Sequence, residues 1–212
     1  MKYKHIIWDW NGTLLDDCMI CVQSFNRSLL NHGLSEISYE DYRSIFTFPV
    51  IKSYERIGFN FEIESFQKIS DEYVKFYEKN FNKLLLHDYV EESLESVISL
   101  GSSQSILSAG NQNLLNNWLK THDISQYFLH IVGVENHYAK GKIKQGLKLK
   151  EDLKFKNNEI VLIGDTIHDS EVAEEMGVDC ILVDHGHVNT NRLVKTGRIV
   201  QSSIRSVLEL IN

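Results

Sequence analysis

Only one proline, Pro49, and three cysteines, Cys18, Cys21 and Cys180, occur in 212 residues. So few cysteines, odd in number, cannot build a disulfide framework. That excludes a small disulfide-stapled scaffold and agrees with a reducing compartment. No run approaches the roughly 20 apolar residues of a bilayer span, and the stretch after Met1-Lys2-Tyr3-Lys4 is too short for a signal peptide, so a cytoplasmic location is expected. Basic charge is also scarce: 22 Lys+Arg face 29 Asp+Glu, a net charge of −7. That balance repels phosphate backbones and anionic lipid, and neither nucleic acid nor a membrane surface is expected as a partner. Repeats and low-complexity tracts are missing as well. What remains is an ordinary globular composition, 42% hydrophobic and 24% charged. It can bury a real core, and its length fits one large domain or a core with a small insert.

Five short apolar runs are each followed by a helical pattern, the signature of a parallel sheet with crossover helices. They are Tyr3-Trp10, Gln104-Ala109, His130-Glu135, Glu159-Gly164 and Cys180-Asp184. Near-continuous apolarity in Ile160-Val161-Leu162-Ile163 and Ile181-Leu182-Val183 indicates strands covered on both faces. A doubly wound α/β core follows. Between the first two runs lie about ninety residues, far more than a crossover needs. Amphipathic helical patterns there cover Met19-Leu30, Tyr39-Phe46, Val50-Ile57 and Ile63-Phe81, with Gly33 and Gly58 as stops and Pro49 in the first turn of a new helix. The expected organisation is a core of residues 1–15 and 87–212 with an all-helical insert of 16–86. The lysine-rich Lys140-Lys154 stretch reads as a solvated helix whose Leu147, Leu149 and Leu153 face inward. Cys18-Met-Ile-Cys21 has metal-pair spacing, but no second pair supplies further zinc ligands and Asp16 and Asp17 disfavour a thiolate, so two buried helix residues are expected.

The first strand ends in Asp9-Trp10-Asn11-Gly12-Thr13-Leu14-Leu15-Asp16. A carboxylate at the carboxyl end of a central parallel strand points into the crevice where open α/β sheets bind ligands. Gly12 permits a sharp turn, and Thr13 with backbone N–H groups can hold an anion. The fourth run ends in Gly164-Asp165-Thr166-Ile167-His168-Asp169. Its two acids can face one hard cation, although helix capping explains either acid alone. Between these motifs come Ile106-Leu107-Ser108-Ala109-Gly110-Asn111, a strand end with a hydroxyl, and Ala139-Lys140-Gly141-Lys142-Ile143, a lysine at a helix start.

Acid with Gly-Thr, then Ser, then Lys, then Gly-Asp-x-x-x-Asp resembles the four ordered motifs of the haloacid dehalogenase superfamily of hydrolases, over essentially the whole chain. The helical insert is similar to that family's cap, and its small size resembles the phosphoglycolate phosphatase-like branch. The Asp184-His185-Gly186-His187 stretch looks like the fifth strand and loop of such members. The resemblance implies a Rossmann-like core and a magnesium-dependent phosphatase acting on a small phosphorylated metabolite, as a monomer or weak dimer. Asp9 would be the nucleophile that forms an aspartyl-phosphate. Magnesium would be held by Asp9, the main-chain carbonyl of Asn11, Asp165 and Asp169. Gly12, Thr13, Ser108, Ala109 and Lys142 would hold phosphoryl oxygens, with Lys140 competing for the role of Lys142.

Asn11 departs from the family pattern, which has an aspartate there to protonate the leaving oxygen and activate water. An amide can donate a hydrogen bond but cannot give up or accept a proton at neutral pH. Turnover on alkyl phosphates should then be weak, and Asn11→Asp alone should raise it. His168, His185 and His187 are candidate substitutes for the missing acid, His168 foremost because it lies inside the metal motif. Two alternatives follow from the same residue. One is a carbon–phosphorus hydrolase using Lys52 as a Schiff base; the other is a non-enzyme that binds a phosphometabolite or a protein. Specificity would sit on the insert, at Phe46, Phe48, Tyr42, Arg43 and Tyr54. Hinges are expected near Leu14–Asp17 and Leu86–Tyr89.

Overall fold

A computed structural model describes residues 1–134 and 141–212. Six parallel strands form the sheet: β1 (His5–Trp8), β4 (Ser103–Asn111), β5 (His130–Val134), β6 (Ile160–Gly164), β7 (Asp179–Val183) and β8 (Ile199–Gln201), in the spatial order β5-β4-β1-β6-β7-β8. The strand order grows outward in both directions from β1, so the chain is doubly wound and the carboxyl ends of β1, β4 and β6 share one crevice. Every residue of β1 and of β6 is buried, which is why β6 reads as an unbroken apolar run and β1 is apolar after His5. The sixth strand, β8, was not expected. Its three half-exposed residues sit at the sheet edge and carry too little apolarity to stand out.

Helices α5 (Val90–Ser99), α6 (Gln112–Thr121), α7 (Lys142–Leu153), α8 (Ile167–Met176), the single-turn α9 (Thr190–Leu193) and α10 (Ile204–Ile211) complete the core. Helices α7 and α8 pack on each other and on the strands, while α5 and α10 form a second packed pair. Leu149 and Leu153 of α7 point inward as expected, but Leu147 is 39% exposed. Leu147 sits half a turn from that pair, and the inner face is completed instead by Gly146, whose missing side chain admits Met176.

Between β1 and β4 stand α1 (Cys18–Asn31), α2 (Tyr39–Ile45), α3 (Ile51–Arg56) and α4 (Phe66–Asn80), close to the four helices expected from periodicity. Gly33 and Gly58 both take positive φ and follow helix ends. Pro49 lies two residues before α3 rather than within its first turn, and its carbonyl accepts the Lys52 N–H at 3.0 Å. Two short strands, β2 (Leu15–Asp16) and β3 (Leu85–Leu86), pair antiparallel where the chain enters and leaves this insert. Aromatic rings fill its interior: Phe25 of α1 lies 4.5 Å from Tyr54 and 5.2 Å from Tyr73, centroid to centroid. All three cysteines are free and buried, and no helix of the described residues is long and apolar enough to cross a membrane.

Candidate active site

Asp9 follows the last residue of β1, and Asp165 follows the last residue of β6, its register neighbour. Asp169 enters from α8, three residues after Thr166, whose side chain caps that helix. The topology therefore brings three carboxylates together from two motifs more than 150 residues apart. Their oxygens lie within 4.8 Å of one another, and all three residues are buried. Lys142, the first residue of α7, reaches this cluster and places Nζ 2.6 Å from Asp9 Oδ1 and 2.5 Å from Asp169 Oδ1. Lys140 lies outside the described residues.

Charge in this cluster is unequally matched. Burial raises the Asp9 carboxyl to about 8 even though Lys142 opposes the shift, and burial likewise raises Asp165 against the pull of His187. Burial works against the charge of Asp169 too, but Lys142 overcomes it and holds that carboxyl below its ordinary value. Lys142 itself is disfavoured by burial, yet Asp169 and Asp9 hold its pKa above the usual ammonium range. Lys142 thus reaches Asp9 and Asp169 but not Asp165, and burial leaves Asp9 and Asp165 favouring the proton until further positive charge arrives. Hard oxygen ligands, mutual distance and uncompensated charge fit a divalent ion such as magnesium.

Gly12 and Thr13 stand behind these carboxylates. The Thr13 hydroxyl donates to Asp165 Oδ1 at 3.0 Å and the side chain is fully buried, so it orients an acid rather than facing the cavity. Gly12 has φ +71°, and a Cβ there would lie 2.4 Å from Asp165 Oδ2. Its N–H donates to Asp17 Oδ1 at 2.9 Å instead of pointing into the cavity. The expected phosphate cradle is therefore a brace. Ser108 and Ala109, by contrast, line the cavity together with Asp9, Asn11 and Lys142, and the Ser108 Oγ accepts the Gly110 N–H at 3.0 Å.

Asn11 is held by a residue that the sequence reading passed over. Its Nδ2 donates to Asp17 Oδ2 at 2.7 Å and contacts the Tyr77 hydroxyl at 3.0 Å, while that hydroxyl donates to the same carboxylate oxygen at 2.7 Å. The other side of Asp17 faces His187, whose Nε2 lies 3.3 Å from Oδ1 and whose Nδ1 meets the Tyr42 hydroxyl at 2.9 Å. Burial opposes both charges, yet each holds the other: Asp17 stays below the ordinary carboxylate range and His187 well above the ordinary imidazole range. The His187 N–H also donates to Asp165 Oδ2 at 2.6 Å. Gly186 makes that approach possible, since a Cβ there would lie 2.1 Å from the same oxygen.

Several expectations fail on geometry. His168, the leading substitute acid, does not line the main cavity; it contacts Glu171 at 3.0 Å and packs at a tilt against Phe48, 4.9 Å between ring centroids. His185 bonds the Thr13 carbonyl at 3.1 Å and stacks on His87. Lys52 is exposed on α3 and away from the cavity lining, so a Schiff base there would not face Asp9. Arg43 does not read substrate: its guanidinium donates to the carbonyls of Gly186 at 2.8 Å and of Asp184, tying α2 to the loop after β7. Tyr42, Phe46, Phe48 and Tyr54 do line the cavity.

Comparison with known proteins agrees with this geometry. A protein of Caldanaerobacter subterraneus subsp. tengcongensis, named as a candidate pyrophosphatase, PpaX, is 24% identical over 184 residues, covering 86% of this chain and 82% of its own. A haloacid dehalogenase-like hydrolase of Streptococcus pneumoniae superposes with a TM-score of 0.85 at 18% identity, covering 100% of this chain and 99% of its own. A phosphoglycolate phosphatase assigned by prediction, from Haemophilus somnus 129PT, gives a TM-score of 0.80 at 15% identity, with 100% and 99% covered. At those identities the two structures speak for the fold. The family model of the haloacid dehalogenase-like hydrolases matches residues 6–183, which include both carboxylate motifs, Ser108 and Lys142, and the chain belongs to that family.

Proposed function

We propose that this protein is a magnesium-dependent phosphatase that hydrolyses a small phosphomonoester through an aspartyl-phosphate on Asp9. The observation that carries this reading is the buried set of Asp9, Asp165 and Asp169 with Lys142 bridging two of them, of which Asp9 and Lys142 line a cavity. Residues 16–86 serve as a cap over a core of 1–15 and 87–212. Magnesium, held by Asp9, Asp165, Asp169 and the Asn11 main-chain carbonyl, would neutralise phosphoryl charge and allow Asp9 to ionise.

An Asp9 carboxylate oxygen attacks phosphorus in line with the ester oxygen, and the P–O bond to the alcohol breaks. Lys142 and Ser108 hold the phosphoryl oxygens and keep the phosphorus over Asp9. Water then attacks phosphorus, releasing inorganic phosphate and restoring Asp9. Asn11 can hydrogen-bond the leaving oxygen but cannot give it a proton, so departure depends on the alcohol's own acidity.

Phosphoglycolate and pyrophosphate, the substrates in the names of relatives, belong in the first assay panel beside alkyl and aryl phosphates. Phosphate release that requires both magnesium and Asp9, and is lost in Asp9→Asn with the fold intact by circular dichroism, is the expected result. Beryllium fluoride with magnesium should trap wild type but not Asp9→Asn. Equal release by the two proteins would overturn the assignment.

A further inference from the structure

Above Asp9 the cavity encloses about 250 Å³, slightly under the roughly 300–1,000 Å³ typical of drug-sized ligand sites, so it suits a compact ester. Its walls are mainly the rings of Phe46, Phe48, Tyr54, Phe66, Tyr73 and Trp118, with the uncharged polar Gln67, Ser70 and Asn111 among them. Positive charge is confined to one end. Among the described residues Lys142 is the only lysine or arginine of the lining, and its ammonium lies on Asp9 and Asp169. His187, also in the lining, faces Asp17 at 3.3 Å. Away from the floor the charged residues are Asp71 and Glu78, both exposed and both on α4.

A phosphoryl group seated at Asp9 directs its alcohol part into this aromatic space. A second anion on that part, the carboxylate of phosphoglycolate or the second phosphate of pyrophosphate, would give up water for apolar walls and two acids. An uncharged apolar group loses nothing there and gains the burial of its surface against ring faces and edges.

Building on the phosphatase reading, we propose that the site takes phosphomonoesters whose alcohol part is uncharged and apolar, arylalkyl groups foremost, and selects against substrates carrying a second anion. The aromatic walls set the preference and Asp71 and Glu78 reinforce it by repulsion. Phe48 and Trp118 contribute half-buried or nearly buried ring area without belonging to the carboxylate machinery.

The test compares 2-phenylethyl phosphate, propyl phosphate and 2-phosphoglycolate, all esters of alkyl alcohols, so that leaving-group acidity does not imitate binding. Phenylethyl phosphate is expected to exceed propyl phosphate in kcat/KM by at least about tenfold, a fraction of what full burial of a phenyl ring yields. It should exceed phosphoglycolate by more. Phe48→Ala should lower the phenylethyl value by a larger factor than the propyl value. Asp71→Lys and Glu78→Lys, on an exposed face where folding is not at stake, should raise phosphoglycolate turnover severalfold. Calorimetry with magnesium supplies a readout without turnover: 3-phenylpropylphosphonate should bind at least about tenfold more tightly than 3-phosphonopropionate. Phosphoglycolate, pyrophosphate or phosphocholine as the best substrate would overturn the preference while leaving the phosphatase intact, as would equal binding of the two phosphonates or binding of neither. Tight binding of the phenyl phosphonate with no ester turned over would uphold the preference and sink the phosphatase reading instead.

Discussion

Asn11→Asp, which on sequence grounds should restore a general acid and base, meets Asp17 in the structure. The Asn11 amide nitrogen lies 2.7 Å from Asp17 Oδ2, so a carboxylate oxygen in its place faces another carboxylate at contact distance. Two unit charges at that separation repel by about 6 kcal/mol at an effective dielectric of about 20, equivalent to roughly four pKa units. The pair therefore keeps one proton at pH 7. A protonated carboxyl can serve the departing alcohol, but at pH 7 the repulsion from Asp17 makes it regain that proton from solvent, so it is protonated again when water must attack the aspartyl-phosphate. Asn11→Asp alone should show a burst of alcohol of about one equivalent per site, followed by steady turnover within about threefold of wild type. Asn11→Asp with Asp17→Asn removes the repulsion and keeps an acceptor for the Gly12 N–H. That double variant should raise steady turnover of alkyl phosphates at least about tenfold, a cautious fraction of the 10²–10⁴ typical of a positioned acid and base. Rapid-quench measurement of alcohol and phosphate, with melting curves to confirm folding, separates the two steps. If Asn11→Asp alone matches the double variant in steady turnover, or the double variant stays at the wild-type level, Asp17 does not control the residue at position 11.

Magnesium at millimolar concentration should raise the melting temperature of wild type but not of Asp165→Asn, because the variant lacks one of three buried carboxylates; a rise in both would place the ion elsewhere. Gly12→Ala should cost about 1–2 kcal/mol for its positive φ alone and displace Asp165, lowering the melting temperature by at least about 3 °C and blunting the magnesium response. Without divalent ions, stability should fall as pH rises from about 4, the unfolded aspartate value, toward the folded Asp9 value of about 8, because the folded chain binds the extra proton. The His187–Asp17 pair adds loss of the same sign above the ordinary histidine value, since a raised imidazole pKa stabilises only the protonated side. Differential scanning fluorimetry between pH 5 and 8 should show the slope, and Asp9→Asn should flatten its lower half; an unchanged slope would remove Asp9 from the account.

The core strands were legible because burial on both faces leaves only apolar residues to choose from, as in Ile160–Gly164. The helices of the insert were legible from periodicity, and their bounds moved by at most three residues. Residues that make the site by direct contact, Asp9, Asp165, Asp169 and Lys142, were found because motif order fixes strand ends that topology then joins. Thr13 and Gly12 were misread because a hydroxyl and an N–H near a strand end look alike whether they face a ligand or brace a carboxylate. Asp17 was missed for a different reason. An acid just before a helix reads as an ordinary helix-start residue, and only the fold sets His187, 170 positions later, against it. The available signal was an amide at position 11 with an unclaimed acid six residues on, and it had no partner until the loop after β7 was placed.

Asp17 also stands at the joint between the helical insert and the core, which couples two properties that would otherwise be independent. The expected hinges fall where β2 and β3 pair through only two residue positions, so the two chain crossings are tied and turn together. Farther from that joint, Arg43 holds the insert to the carbonyls of Asp184 and Gly186, and Arg192 reaches back from the core to the carbonyls of Arg43 at 3.1 Å and Phe46 at 2.7 Å. Charged donors make hydrogen bonds of roughly 1.5–3 kcal/mol, and water returns part of that when they separate, so parting the insert from the core at these contacts would cost a few kcal/mol. Opening also draws Tyr77 of α4 away from Asp17 and Tyr42 of α2 away from His187. Water would then reach a pair whose two charges hold each other against burial, and the Asn11 amide would lose one of its two fixed neighbours. The position of the insert and the hydrogen-bonding state of Asn11 are thus set by the same contacts, and a substrate that fills the aromatic cavity favours closure and the ordered amide at once.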